Sequence, residues 1–227
     1  MPDSDAESRG ELALRERAPE PPNFITEDLS VEREWRGFDR AGWPEGPWDT
    51  EPDAVLWRAK APPHYPCQVS RCFNGAFGGY VAIPPGHPAH GLPLDELIGC
   101  FEVHRGLTFS GDAVADYWVL GFDCGHGAVD YSPGEKALEA LYADAWSRGA
   151  PGQPMPEFLA KRAEKAKRAY VEPPPIDPEN WETFIGVQRY RRVAYVREHV
   201  ENLAAQLAAV AAGERPLHLP HTEDDES

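Results

Sequence analysis

The sequence predicts an α+β fold: a small, mostly antiparallel sheet around Asp53–Tyr131, joined by Pro/Gly-rich loops and followed by a helical C-terminal part. Three observations lead there. The 24 prolines and 20 glycines among 227 residues cut the chain into short segments and argue against a helical bundle. The middle of the chain carries short apolar runs with strand periodicity, bounded by turn residues. Near the C-terminus, Val193, Val196, Val200, Leu203, Leu207 and Val210 recur at alternating spacings of three and four, which puts them on one stripe of a helix.

Taken in order, residues 1–29 are acidic, rich in proline and without apolar periodicity, and are predicted to be a disordered arm. Residues 30–134 form the predicted strand-rich core domain. It opens with Trp35, Trp43, Trp48 and Trp57 in a segment where Pro44, Pro47 and Pro52 forbid a helix. That segment is predicted to be irregular and packed on the core, because the large rings must cover apolar surface. The runs "CQVSRCF", "GGYVAIP", "CFEVHRGLTF" and "YWVLGFDC" are predicted strands, and "PLDELIGC" a single helical turn. Residues 135–213 form the predicted helical part. Ser132 and Glu135 have capping-box spacing at its start, and "PEFLAKRAEKAKRAY" holds a basic patch. The last helix is predicted over 187–212, closed by Gly213, with a stripe suited to packing on the core or on a homodimer partner. Residues 214–227 are an acidic tail.

The formal net charge of −16 leaves little basic surface for nucleic-acid phosphates. No apolar run reaches the length of a membrane span, and the first residues lack the basic start and apolar centre of a secretory signal. A cytoplasmic protein with four reduced cysteines is therefore expected.

Chemistry-bearing residues gather at three strand–loop junctions. The stretch "YWVLGFDCGHGAVDYSPG" turns from an apolar strand into Asp123, Cys124, His126 and Asp130 among glycines. Its alternation sends Tyr117, Val119, Gly121 and Asp123 to one face and Trp118, Leu120, Phe122 and Cys124 to the other. A second junction carries Glu102 and His104, with Thr108 and Ser110 downstream, and a third carries His87 and His90. If the junctions converge, His87, His90, His104, Thr108, Trp118, Asp123 and His126 line a pocket for a small polar ligand. The same groups offer His104, Asp123 and His126 to Zn²⁺ or another divalent transition metal, with Glu102 or Asp130 as general base. A third option makes Cys124 a nucleophile activated by His126 or His104. The bland alternative is that Asp123 and His126 tie down a turn.

Several motifs together resemble an uncharacterised family of small bacteriophage and prophage proteins: "GPWDTEPDAVLW", "GAFGGYVAIPPGHPAHG", "VHRGLTF", "YWVLGFDCGH" and "YVREHVENLAAQL". The chain departs from that pattern at Gly78, where the family has cysteine, at Arg105, where it has glycine, and in a longer turn before Asp130. The resemblance implies a phage or prophage setting, in which accessory proteins inhibit, bind or sequester host factors, and it supplies no reaction. The expected function is an accessory protein in the host cytoplasm that binds a small polar, nucleotide-like ligand and counters host defence. The alternatives are a metal-dependent hydrolase using the same cluster and an acidic module that binds a host protein without catalysis.

Overall fold

A computed structural model describes residues 23–25, 28–112, 116–126, 129–138, 140, 188–215 and 217. Among the described residues, six strands form one antiparallel sheet in the order β1-β2-β3-β4-β6-β5. They are β1 (Arg33–Trp35), β2 (Ala54–Arg58), β3 (Pro66–Arg71), β4 (Phe77–Ile83), β5 (Phe109–Asp112) and β6 (Trp118–Asp123). A single helical turn, α1 (Leu94–Leu97), and a long helix, α2 (Val193–Ala211), complete the labelled elements together with a 3-10 turn at Pro47–Asp49. This is the α+β class that the apolar patterning predicts.

Strand parity decides the two faces. Val55 and Trp57 of β2, Cys67 and Val69 of β3, Val81 and Ile83 of β4, and Leu120 and Phe122 of β6 face α2 and make the main core. Ala54, Leu56, Ala82 and Val119 face the other way, where Phe24 and Leu29 cover them. The end of the arm predicted to be disordered thus holds two buried side chains, because Phe24 and Leu29 find apolar surface on the open face. Residues 1–22 lie outside the described residues.

Helix α2 lies over β3 and β4. Val196, Val200, Leu203, Leu207 and Val210 are buried in this contact, so the stripe is used within the chain and is not left for a dimer partner. Gly79 explains how close the helix comes. A Cβ there would lie 2.5 Å from Val200 Cγ2 and 2.7 Å from Phe122 Cζ, so only a residue without a side chain fits under the helix. At the far end Gly213 takes φ +72, the left-handed C′ position expected from the sequence.

The helix begins at Val193, six residues after its predicted start, and its own N-cap residue Arg192 provides no side-chain cap. Glu51 supplies one from elsewhere in the chain. Its Oε1 accepts the N–H of Val193 at 3.3 Å and Arg192 Nε at 3.1 Å, while Tyr190 donates to Oε2 at 2.6 Å. The tryptophan-rich segment is thereby tied to the helix, and Trp48, 1% exposed, packs between Tyr131 and Tyr190.

Two predicted elements differ. Of "CFEVHRGLTF", only the end is strand. Residues 101–108 run as turns and bends before β5 begins at Phe109, because Arg105 and Gly106 both take positive φ and reverse the chain. The helix at Ser132–Glu135 is present over 135–138, whereas the basic patch of residues 156–170 and the rest of 141–187 lie outside the described residues.

Candidate metal centre

Two of the three junctions converge. The loop after β6 brings His126 and Asp130 to His104, and the cluster is closed from above by Tyr195 and His199 of α2 and by Arg191 just before it. Asp130 is the hub. Its side chain is fully buried, and its Oδ2 lies 2.9 Å from His104 Nε2 and 3.4 Å from His126 Nδ1. Its Oδ1 accepts Arg191 Nε at 2.9 Å. The backbone around Asp130 is held as well, since Tyr131 N–H donates to Arg189 O and Arg189 N–H to Val129 O, both at 2.8 Å. Burial works against the charge on Asp130, but the hydrogen bonds from His104 and Arg191 outweigh it and keep the carboxyl below its usual range.

His104 is buried at 6% exposure, and its Nδ1 lies 3.0 Å from the Tyr195 hydroxyl. His199 packs its ring 4.6 Å from Tyr195 and 5.9 Å from Phe122. Burial, with the nearby His104, lowers the pKa of His199 and favours the neutral ring. Burial raises the pKa of the Tyr195 phenol, and the Arg191 guanidinium sits 4.7 Å above its ring.

One donor atom from each of His104, His126 and Asp130 lies within 4.8 Å of the other two. Neighbouring ligand atoms around tetrahedral zinc are about 3.3 Å apart, given Zn–N and Zn–O distances near 2.0–2.1 Å. His126 Nδ1 is buried and, among the described residues, has no hydrogen-bond partner. A buried lone pair or N–H without a partner is costly, and a metal ion would relieve it.

The group whose geometry could hold a metal differs from the expected one in one member: Asp130 stands where Asp123 was expected. Parity is the reason. Asp123 lies on the face of β6 opposite Phe122 and Cys124, away from α2, and its Oδ1 accepts the N–H of Gly125 at 2.8 Å. It stands 3.8 Å from His126 Nδ1 and is 39% exposed, so it works chiefly as the turn residue that the bland alternative describes.

Cys124 does reach the cluster side, but burial first, then the charges of Asp130 and Asp123, push its thiol pKa far up. A thiol held protonated is a poor nucleophile, which counts against the Cys124–His arrangement. Glu102 is exposed, and it is its backbone that is held: Gln206 Oε1 accepts its N–H, and its carbonyl accepts from Gln206 and Asn202, each at 2.9 Å. Thr108 is exposed too, its N–H bonded to Gly121 O.

The third junction stays apart. His87 Nε2 lies 2.9 Å from the Leu207 carbonyl, two helical turns beyond His199, while its Nδ1 accepts the N–H of Ala89 at 3.0 Å. Both ring nitrogens are thus used in fastening the 84–90 loop to α2. His90 bonds the Asp116 carbonyl at 2.8 Å and packs on Trp118, whose indole donates to Ser110 Oγ, all at the start of β6 and away from the Asp130 end. Among the described residues, no hydrogen bond or ring contact joins these side chains to His104.

Burial lowers the pKa of His87 more than its bond to Leu207 raises it. The folded ring therefore takes up a proton less readily than the unfolded one, whose ordinary value is 6.5. Its contribution to stability is complete above pH 6.5 and falls away as pH drops towards the folded value. His87→Gln, which can make both bonds without titrating, should flatten the decline of melting temperature below pH 6.5. Parallel melting curves for the two proteins from pH 7.5 downward would refute this.

Arg191, Tyr195 and His199 join the cluster without being among the residues expected from the sequence. Tyr195 and His199 are spaced by four, one residue beside the apolar stripe of α2, which puts both on one edge, while Arg191 lies two residues before the helix begins. No family model matches the chain, and neither does any curated protein or solved structure.

Proposed function

We propose that the protein is a metal-dependent hydrolase of a small polar substrate, with a divalent transition metal held by His104, His126 and Asp130. The observation that carries this reading is the buried Nδ1 of His126, without a hydrogen-bond partner among the described residues, facing the Asp130 carboxylate beside His104. Two imidazoles and one carboxylate are the donor set of zinc hydrolases and of other divalent centres that keep positions open. Such a metal polarises a substrate oxygen and lowers the pKa of bound water. Arg191 and Tyr195 would act from behind the ligands, fixing Asp130 and His104. His126, 29% exposed, marks the side from which solvent and substrate would enter. The phage-type motifs support an accessory role in a host cell for this chemistry.

The test is metal content by mass spectrometry on tag-free protein, followed by a hydrolysis screen with phosphoester, ester and amide substrates. About one Zn²⁺, Mn²⁺ or Fe per chain, lost in His126→Ala, together with chelator-sensitive hydrolysis, is expected. A metal-free protein that also fails to take up added Zn²⁺ would sink the proposal. Metal without any turnover would reduce it to a binding site.

A further inference from the structure

We propose that the substrate is a phosphate ester and that Arg191 grips its phosphate at the metal site, besides steadying Asp130. This rests on the metal site proposed above.

Arg191 is held in place from two sides. Its Nε donates to Asp130 Oδ1 at 2.9 Å, while Oδ2 of the same carboxylate faces His104 Nε2 and His126 Nδ1. A single carboxylate therefore lies between the guanidinium and the atoms that could hold the ion. Arg191 Cζ lies 4.7 Å from the centre of the Tyr195 ring, and the backbone two residues earlier is fixed by the bridge between Asp130 and Arg189. The side chain is 18% exposed, much less than a freely solvated arginine. A guanidinium carries five N–H groups, and Asp130 uses the one on Nε. Among the described residues, Nη1 and Nη2 make no hydrogen bond. Neither is shut away from solvent, because among those residues the buried side-chain atom without a hydrogen-bond partner is His126 Nδ1. A held, permanently charged group thus keeps its outer donors open beside the metal donors.

The class of substrate follows from charge. A carboxylic ester or an amide is neutral before attack and offers a guanidinium no charge to meet. A phosphate ester carries its negative charge on the group that is cleaved. It also has oxygens enough to give one to the metal and others to Nη1 and Nη2. The planar fork of arginine matches phosphate oxygens, and a guanidinium on a transferring phosphoryl group steadies the charge of the transition state. A chain of net charge −16 repels such an anion elsewhere, so a cation is needed where it docks. In the reaction the oxygen of water bonds to phosphorus and the bond from phosphorus to the ester oxygen breaks. That oxygen leaves with the electron pair and takes up a proton released by the water, and nothing is oxidised or reduced.

The experiment uses the full chain with saturating Zn²⁺. Binding of inorganic phosphate is measured for wild type, Arg191→Lys and Arg191→Met, beside the Zn²⁺ affinity of each. Wild type is also given p-nitrophenyl phosphate, bis(p-nitrophenyl) phosphate and p-nitrophenyl acetate, which separate a monoester, a diester and a neutral ester. Expected are turnover of a phosphate ester, competitive inhibition by phosphate, and phosphate binding weakened about 10–100-fold in Arg191→Met, with Arg191→Lys in between. A side chain that does no more than steady Asp130 would lower Zn²⁺ affinity in the variants and leave phosphate binding at saturating Zn²⁺ unchanged, which overturns the role of Arg191. Turnover of the acetate alone, or phosphate binding with no turnover, overturns the phosphate ester as substrate while the metal site stands. If wild type takes up no Zn²⁺, the metal site itself fails and the phosphate site goes with it. Wild type alone decides the substrate class even if neither variant folds.

Discussion

Asp53→Ala should destabilise the protein by about 3–5 kcal/mol, the range for removing one partner of a buried ion pair. The carboxylate has no exposed surface and gathers the irregular segment onto the sheet. Its Oδ2 accepts the N–H groups of Gly37 and Phe38 at 2.9 Å each, its Oδ1 accepts Arg71 Nε at 3.0 Å, and Arg40 closes on it from the rim. Truncation leaves the Arg71 guanidinium, itself without exposed surface, lacking its close carboxylate, with Glu51 3.9 Å away as the remaining acid. Two backbone donors lose their acceptor at the same time. Total stability in a domain of this kind is about 5–15 kcal/mol, so much of it is at stake. Urea unfolding of wild type and variant measures the loss, and a difference below about 1 kcal/mol would show that water or another acceptor replaces the carboxylate. Replacing Asp53 and Arg71 together with apolar residues should cost less than Asp53→Ala alone, because no charge is then left unmatched.

The second large effect falls on function. Asp130→Asn should weaken metal binding by about 100-fold or more, beyond what losing a group behind the ligands does, while costing the fold only about 1.5–3 kcal/mol, the scale of a hydrogen bond to a charged group. Asparagine keeps the volume and one acceptor oxygen, so His104 or Arg191 can still be met, but the negative charge that both share is gone. A competitive Zn²⁺ titration and a melting curve on the same samples separate the two terms. Undiminished Zn²⁺ affinity would exclude Asp130 as a ligand. A collapse of the fold with no specific change in binding would make it a structural hub alone.

How far the sequence reached depends on which physical signal each part leaves. Strands β3, β4 and β6 were legible because alternation and bounding turn residues mark them without help from the rest of the chain. The stripe of α2 was legible for the same reason, though not its first turn: Glu51, some 140 residues away in sequence, sets where the helix begins. His104 and His126 were picked correctly as neighbours. That Asp130 rather than Asp123 joins them was not legible, since it depends on how the 124–130 turn folds back. Parity already placed Asp123 with Val119, on the face that α2 does not cover. His87 was misleading because a histidine that fastens a loop to a helix carbonyl looks, in sequence, like one waiting for a ligand. Tyr195 and His199 were hidden in an element read only for its apolar side.

One junction bears on how the chain can be changed. The strand-like pairing of Asp130 with Arg189, with hydrogen bonds from Tyr131 to Arg189 and from Arg189 to Val129, brings together residues on either side of the 139–187 interval. Two backbone stretches far apart in the sequence are therefore fixed side by side. Closing a longer or shorter excursion there changes the entropy only slowly, by about 0.6 kcal/mol for each doubling of length. A change in the number of residues joining the two stretches should therefore cost their pairing little, and Asp130 on one side and α2 on the other would still be held in register.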